Sequence, residues 1–151
     1  MLRKDFILDE LQILEARAAG AAAVLLIVRA LPGDRLTKLL AAATATGLDA
    51  LVEVHTAEEV GRALDAGADI VGVNSRDLDT FRVDAAAAWR VLESMPSGCL
   101  AVAESGMASA ADVERAAAAG ADAVLIGTAL SAVDDPEPLL ARLTRVPRRG
   151  R

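Results

Sequence analysis

Short apolar runs recur along the chain at intervals of one strand plus one helix: "VLLIV" at 24–28, "LVEV" at 51–54, "IVGV" at 70–73, "LAVA" at 100–103 and "AVLI" at 123–126. Each is too short for a helix and apolar on both faces, which is the pattern of a parallel strand covered on two sides. Between them, apolar positions recur at helical spacing. The pattern predicts strand 1–5, helix 10–19, strand 23–28, helix 34–46, strand 50–54, helix 57–66, strand 69–73, helix 85–94, strand 99–103, helix 110–119, strand 122–126 and helix 137–144. Six βα units in strict alternation predict a parallel sheet with right-handed crossovers.

Three segments repeat the same transition: "EARAAGAAAVLLI" at 15–27, "RALDAGADIVGVN" at 62–74 and "RAAAAGADAVLIG" at 115–127. Gly20, Gly67 and Gly120 are each placed to end a helix in the left-handed conformation, ahead of a strand. The helix starts agree with this phase. Thr56 with Glu59 and Ser109 with Asp112 are spaced as capping boxes, and Asp9 and Asp84 are placed as N-caps.

Composition narrows the class. The 151 residues are 54% apolar but 2% aromatic, so the core is aliphatic, which suits helices layered on strands. The length predicts one domain over 1–145, followed by a frayed basic tail at 146–151. A net charge of −6 argues against a nucleic-acid surface and an anionic membrane, but not against a small anion bound by local cations. Cys99 is alone, so no disulfide framework is expected, and a cytoplasmic location fits. The first residues carry no leader pattern, and charges interrupt every apolar run short of membrane-span length.

The first polar or glycine residues after the apolar runs are Lys4, Arg29, Glu53, Asn74, Glu104 and Gly127. In register, six strands would deliver all of them to the carboxyl edge of the sheet, where α/β folds bind ligands. Any one of them is equally well explained as the place where a strand gives way to a polar loop. Glu53 is harder to dismiss, because it lies between two valines inside "LVEV". It reads either as a general base or as a carboxylate paired with a cation. Lys4 has the same two readings, and together they make an acid/base pair. His55 points to the same side as Glu53, further out, either as a participant or as a loop hydrogen-bonder. Cys99 reads as a small buried apolar residue. In "AESGM", Ser105 and Gly106 fall in one strand-end loop; in "IGTAL", Gly127 and Thr128 begin a short helix after the next strand. Glycines beside free backbone N–H groups at such positions suit a phosphate.

"LRKDFI", "AVLLIVRAL", "LVEVHT", "VGVNSRDLDTF", "AESG" and "LIGTAL" resemble, in order and spacing, the indole-3-glycerol phosphate synthase family, from about residue 2 to residue 145. "NSRDL" followed by "ESG" is the most specific part. The resemblance implies a (β/α)8 barrel, here with six of eight βα units, and a reaction that closes an indole ring on 1-(2-carboxyphenylamino)-1-deoxyribulose 5-phosphate with loss of carbon dioxide and water. It implies no cofactor and no metal. It implies that Lys4 is the general acid, that Glu53 is the acid/base group of the dehydration, and that Asn74, counted with the catalytic residues, and Arg76 hold the substrate's hydroxyls and polarise the reacting centre. It implies substrate contacts from Glu104 and Ser105, and a phosphate cradle of Gly106, Gly127 and Thr128. Where some members carry lysine this chain has Arg29, which keeps the charge that attracts an anionic substrate but does not readily give up a proton.

The resemblance also sets Lys4 on the third strand of eight. The chain by itself is therefore expected to have little or no synthase activity, and to self-associate or pair with a complementing N-terminal barrel fragment. Competing readings are a non-catalytic module that binds a phosphate ligand, a split-barrel part, or another phosphosugar barrel.

Overall fold

Four helices of this protein end in the same way. After Glu10–Ala18 (α1), Arg35–Ala45 (α2), Ala57–Asp65 (α3) and Ala110–Ala118 (α5), the chain turns through Gly20, Gly47, Gly67 and Gly120, at φ of 82°, 70°, 91° and 100°. The next residue reaches back: Ala21 to the carbonyl of Ala16, Leu48 to Ala43, Ala68 to Ala63 and Ala121 to Ala116, all at 2.9–3.0 Å. These are Schellman motifs, which satisfy carbonyls that the end of a helix would otherwise leave unbonded. The fourth instance, at Gly47, lacks the Ala-Gly-Ala signature of the three repeats and was not expected from them. A Cβ at Gly20, Gly47 or Gly67 would meet open space, so at those three positions the left-handed φ alone selects glycine.

The computed structural model describes residues 1–147. It forms two compact units, residues 1–72 and residues from 73 onward. In the first, β1 (Leu2–Arg3), β2 (Ala23–Ile27) and β3 (Asp49–Val54) lie side by side in chain order, all parallel. β4 (Ile70–Asn74) contains the division. The second unit carries α4 (Ala85–Glu93), β5 (Leu100–Glu104), α5, β6 (Ala123–Leu125), the short α6 (Thr128–Ser131) and α7 (Glu137–Leu143), with β5 and β6 parallel.

Each unit buries its own aliphatic layer. Val24, Leu26, Val52 and Val54 of the strands and Ile13, Leu39 and Ala63 of the helices are sealed from solvent in the first. Ala101, Ala103, Leu92 and Ala116 do the same in the second, where alanine lets helix and strand approach closely. The N-caps follow the sequence. Asp9 with Gln12 and Ser109 with Asp112 complete reciprocal capping boxes, and Asp84 accepts the N–H of Ala87.

Several boundaries differ from expectation. β1 is two residues, not five, because the Asp5 carboxylate takes the N–H of Phe6 at 2.8 Å and the chain leaves the ladder. β2 stops at Ile27, and Val28–Ala30 wind into a 3-10 turn that carries Arg29. β6 ends at Leu125, where Gly127 already has helical backbone angles and starts α6. Of the expected tail, Val146 donates to the carbonyl of Leu143 at 3.4 Å, and 148–151 lie outside the described residues.

Candidate active site

Strand register explains how the first unit assembles its polar cluster. β2 and β3 pair with Ile27 opposite Glu53. Beyond that pair β2 ends, and Arg29 follows in the 3-10 turn while His55 follows β3. β1 pairs with Arg3 opposite Val24, so Lys4 starts lower and its long side chain spans the difference. Lys4 Nζ lies 3.0 Å from Glu53 Oε2. Glu53 is almost wholly buried, at 1% exposure of its side chain, whereas Lys4 keeps 44%. A buried carboxylate is costly unless paired, so the ammonium at its side is a condition of this arrangement.

The second Glu53 oxygen faces His55. Oε1 is 3.7 Å from His55 Nε2, and the other ring nitrogen, Nδ1, is 3.5 Å from Glu59 Oε2. Glu59 belongs to the first turn of α3. Thr56 caps that helix by accepting the Glu59 N–H at 3.2 Å, while the Glu59 carboxylate accepts the backbone N–H of His55 at 2.6 Å. The expected capping box is thus displaced by one residue: the carboxylate reaches to the end of β3, in front of the N-cap. Arg29 Nε lies 3.6 Å from Glu59 Oε1. Partial burial pushes the Glu59 carboxyl up, but the nearby His55 ring, the bond from the His55 backbone N–H and the charge of Arg29 outweigh it and hold the carboxyl below its ordinary value. The result is a chain of groups in the order Lys4, Glu53, His55, Glu59, Arg29.

The second unit gathers another set. Asn74 ends β4 and is buried, and its Oδ1 accepts the N–H of Arg76 at 2.9 Å. Ser75, also buried, donates from its backbone N–H and from its hydroxyl to the carbonyl of Glu104, at 3.0 and 3.2 Å. Glu104 ends β5 with its side chain buried. Between them, 75–84 forms a folded-back loop: Arg76 pairs antiparallel with Val83, Asp77 N–H bonds the Arg82 carbonyl at 2.9 Å, and Asp84 N–H bonds the Ser75 carbonyl at 2.8 Å. Arg76 Nη1 donates to the Phe81 carbonyl at 3.4 Å.

That loop packs against Gly106. A Cβ there would sit 2.7 Å from Val83 Cγ1 and 2.9 Å from Ser75 Oγ, and φ is 71°. Two independent constraints therefore require glycine. Ser105 before it is also left-handed, at φ 65°, a strained conformation for a residue with a side chain. Gly127 caps the four-residue α6 through its carbonyl, which accepts from Leu130 and Ser131, and the space a Cβ would take at Gly127 is open.

The structure thus groups Lys4, Arg29, Glu53 and His55 in the first unit. It groups Asn74, Arg76 and Glu104 on adjoining backbone in the second, followed directly by Ser105 and Gly106, with Gly127 and Thr128 at the start of α6. Sequence reasoning treated Glu59 only as a capping residue and passed over Ser75. The i,i+4 spacing of His55 and Glu59 at a strand-to-helix junction was the available signal for the former. Nothing in the local sequence marks Ser75, whose burial comes from the fold-back of 75–84.

Strand–helix repeats with polar groups at the carboxyl ends of parallel strands define the protein as one of the βα-barrel class. Solved structures of that class agree in fold: 3-hexulose-6-phosphate synthase from Salmonella typhimurium (TM-score 0.78, 21% identical, covering 96% of this chain and 71% of that one) and thiamine phosphate pyrophosphorylase from Pyrococcus furiosus (0.72, 20%, 96% and 65%). Within the class, residues 1–143 match the model of the family described as indole-3-glycerol phosphate synthase, and the chain belongs to that family. It is 52% identical over 136 residues to indole-3-glycerol phosphate synthase 2 of Streptomyces coelicolor, covering 90% of this chain and 53% of that protein. It is 49% identical over 143 residues to the Mycobacteroides abscessus synthase, covering 95% and 53%. The chain spans about half the length of the curated relatives it matches. Among the described residues, no helix is long and apolar enough to cross a membrane.

Proposed function

We propose that this chain carries the acid/base and phosphate-holding part of an indole-3-glycerol phosphate synthase. The reaction closes the indole ring of 1-(2-carboxyphenylamino)-1-deoxyribulose 5-phosphate and releases one carbon dioxide and one water, which places it among the carboxy-lyases. The observation that carries this reading is the Lys4–Glu53 pair, a cation 3.0 Å from a carboxylate buried inside a strand. Lys4 remains partly open to solvent and can approach a substrate oxygen. It is the general acid that protonates the carbonyl oxygen as the ring closes, so that no alkoxide has to accumulate. Glu53 is the acid/base group of the dehydration: its carboxylate takes a proton from the ring-closed adduct as the new ring double bond forms and returns it to the hydroxyl, whose C–O bond breaks so that it leaves as water.

Asn74 and Arg76 hold the hydroxyls of the substrate and the reacting centre, with Glu104 and Ser105 beside them, and Arg29 adds positive charge that attracts the anion. The phosphate lies against the backbone at Gly106, Gly127 and Thr128, where the missing side chain at Gly127 leaves room for it. The substrate partner is thus a small phosphorylated anthranilate derivative.

The test follows indole fluorescence with the chain alone and with the chain co-expressed beside the N-terminal part of a family member. Product is expected in at least one of the two, with a loss of about a hundredfold or more in Glu53→Gln and in Lys4→Ala. Unchanged turnover in both variants would remove the site assignment. Phosphate-ligand binding with no product in either preparation would replace the synthase reading with that of a binding module.

A further inference from the structure

We infer that Glu59 and Arg29 are positioning residues for the Glu53 carboxylate, acting on it through the His55 imidazole. The inference rests on the reading of Glu53 as an acid/base group. It gives Arg29 a partner inside the protein, in addition to any contact with an anion, and gives His55 a place that a solvent-facing loop histidine would not have.

The geometry supplies the argument. A carboxylate turns about its terminal torsion with little preference, so one partner does not fix its plane. Glu53 is flanked on both oxygens: Lys4 Nζ lies 3.0 Å from Oε2, and His55 Nε2 stands 3.7 Å from Oε1. His55 itself meets one residue at two points, bonded through its backbone and in close approach through its ring. Its backbone N–H donates to Glu59 Oε2 at 2.6 Å, and its Nδ1 lies 3.5 Å from the same oxygen. The backbone is thus bonded to the oxygen that the ring nitrogen faces, and this close contact, short of a hydrogen bond, together with burial limits the room in which the imidazole can turn. Arg29 Nε, 3.6 Å from the other Glu59 oxygen, limits rotation of that carboxylate in turn. The imidazole is nearly sealed, at 6% side-chain exposure, so water does little to loosen the arrangement. The His55 backbone N–H and Arg29 both favour the charged form of Glu59, which strengthens the hold. A hydrogen-bonded group one step removed from the reacting one commonly sets its orientation in this way.

The chain has one histidine, so a sample labelled with nitrogen-15 histidine reports His55 alone, without assignment. The ring resonances are recorded for the unaltered chain and for Arg29→Gln, Glu59→Ala and Glu59→Gln, with far-ultraviolet circular dichroism confirming that each is folded. The two ring nitrogens share one tautomeric and protonation equilibrium, so a change at Nδ1 alone also moves Nε2, and each spectrum is therefore recorded a second time with Glu53→Gln added. Positioning requires that Nε2, the nitrogen that faces Glu53, moves by several parts per million in Glu59→Ala and in Arg29→Gln, that Glu59→Gln, which can still accept from the His55 N–H, returns most of the change, and that the Nε2 change is clearly smaller once Glu53→Gln is added. Nε2 left in place in both Arg29→Gln and Glu59→Ala, or an Nε2 change that Glu53→Gln leaves as it was, would overturn the inference. Arg29→Gln removes a half-exposed side chain outside the core, so it stays informative if Glu59→Ala fails to fold. The spectra do not depend on turnover. If Glu53→Gln leaves turnover unchanged, the acid/base reading falls while the spectra still report the network. If turnover falls but Nε2 is unmoved, the positioning role falls alone.

Discussion

Lys4 and Glu53 are 49 residues apart in sequence, and their side chains meet at 3.0 Å with the carboxylate buried and the ammonium half in water. The asymmetry predicts unequal consequences for the two partners. Lys4→Met strands a buried negative charge and is expected to destabilise the chain by about 1–3 kcal/mol, less than a fully buried pair would lose because Lys4 is partly solvated. Adding Glu53→Gln removes the stranded charge, so the double variant should recover part of the loss. Urea unfolding at constant m-value measures both, and a double variant whose loss equals the sum of the singles would deny the coupling.

Gly106→Ala is predicted to cost more than Gly20→Ala. Both glycines have positive φ, which alone costs an alanine roughly 1–2 kcal/mol. Only Gly106 also faces Val83 Cγ1 at 2.7 Å and Ser75 Oγ at 2.9 Å from the added Cβ. The extra penalty should be about 1 kcal/mol or more, and Val83→Ala should relieve some of it. Equal costs at the two glycines in chemical denaturation would show that the 75–84 loop yields without penalty.

Acid should weaken the protein in a definite window. The carboxyls of Glu59 and Asp112 both lie below their ordinary values of 4.5 and 3.8. For Glu59, burial opposes the lowering and the His55 bonds with Arg29 produce it; for Asp112, the Ser109 hydroxyl leads, followed by the Ala108 N–H. A group with a depressed folded value binds its proton more readily when unfolded. Its contribution is therefore complete above the unfolded value and is lost as pH falls through the folded one. Stability measured by urea midpoint should decline on going from about pH 5 toward pH 3, and Glu59→Gln should flatten that decline.

Ser109→Ala should lower stability by about 1 kcal/mol, because the hydroxyl both accepts the Asp112 N–H and donates to the Asp112 carboxylate at 2.7 Å. The acid limb attributed to Asp112 should shrink with it, since the same hydroxyl is the leading cause of the lowered carboxyl. A thermal or urea series of the variant across the same pH range checks both at once.

The sequence by itself determined the alternation of strands and helices, the left-handed glycine stops after α1, α3 and α5, and the polar residues at strand ends. These are local matters: apolar runs, caps and turn glycines act within a few residues of themselves, and the family's motifs are contiguous strings. Tertiary structure decided what those strings could not. Glu59 was readable as a capping residue and its contact with His55 is local, but it also meets Arg29 because the 27-to-53 register brings the end of β3 level with the turn that carries Arg29. Ser75 became a buried clasp, and Gly106 an obligatory glycine, only when 75–84 folded back onto the end of β5. Pairing energies of this kind depend on which oxygen faces which nitrogen at 3 to 4 Å. Strand register and loop packing set those distances across tens of residues, where no local pattern reaches.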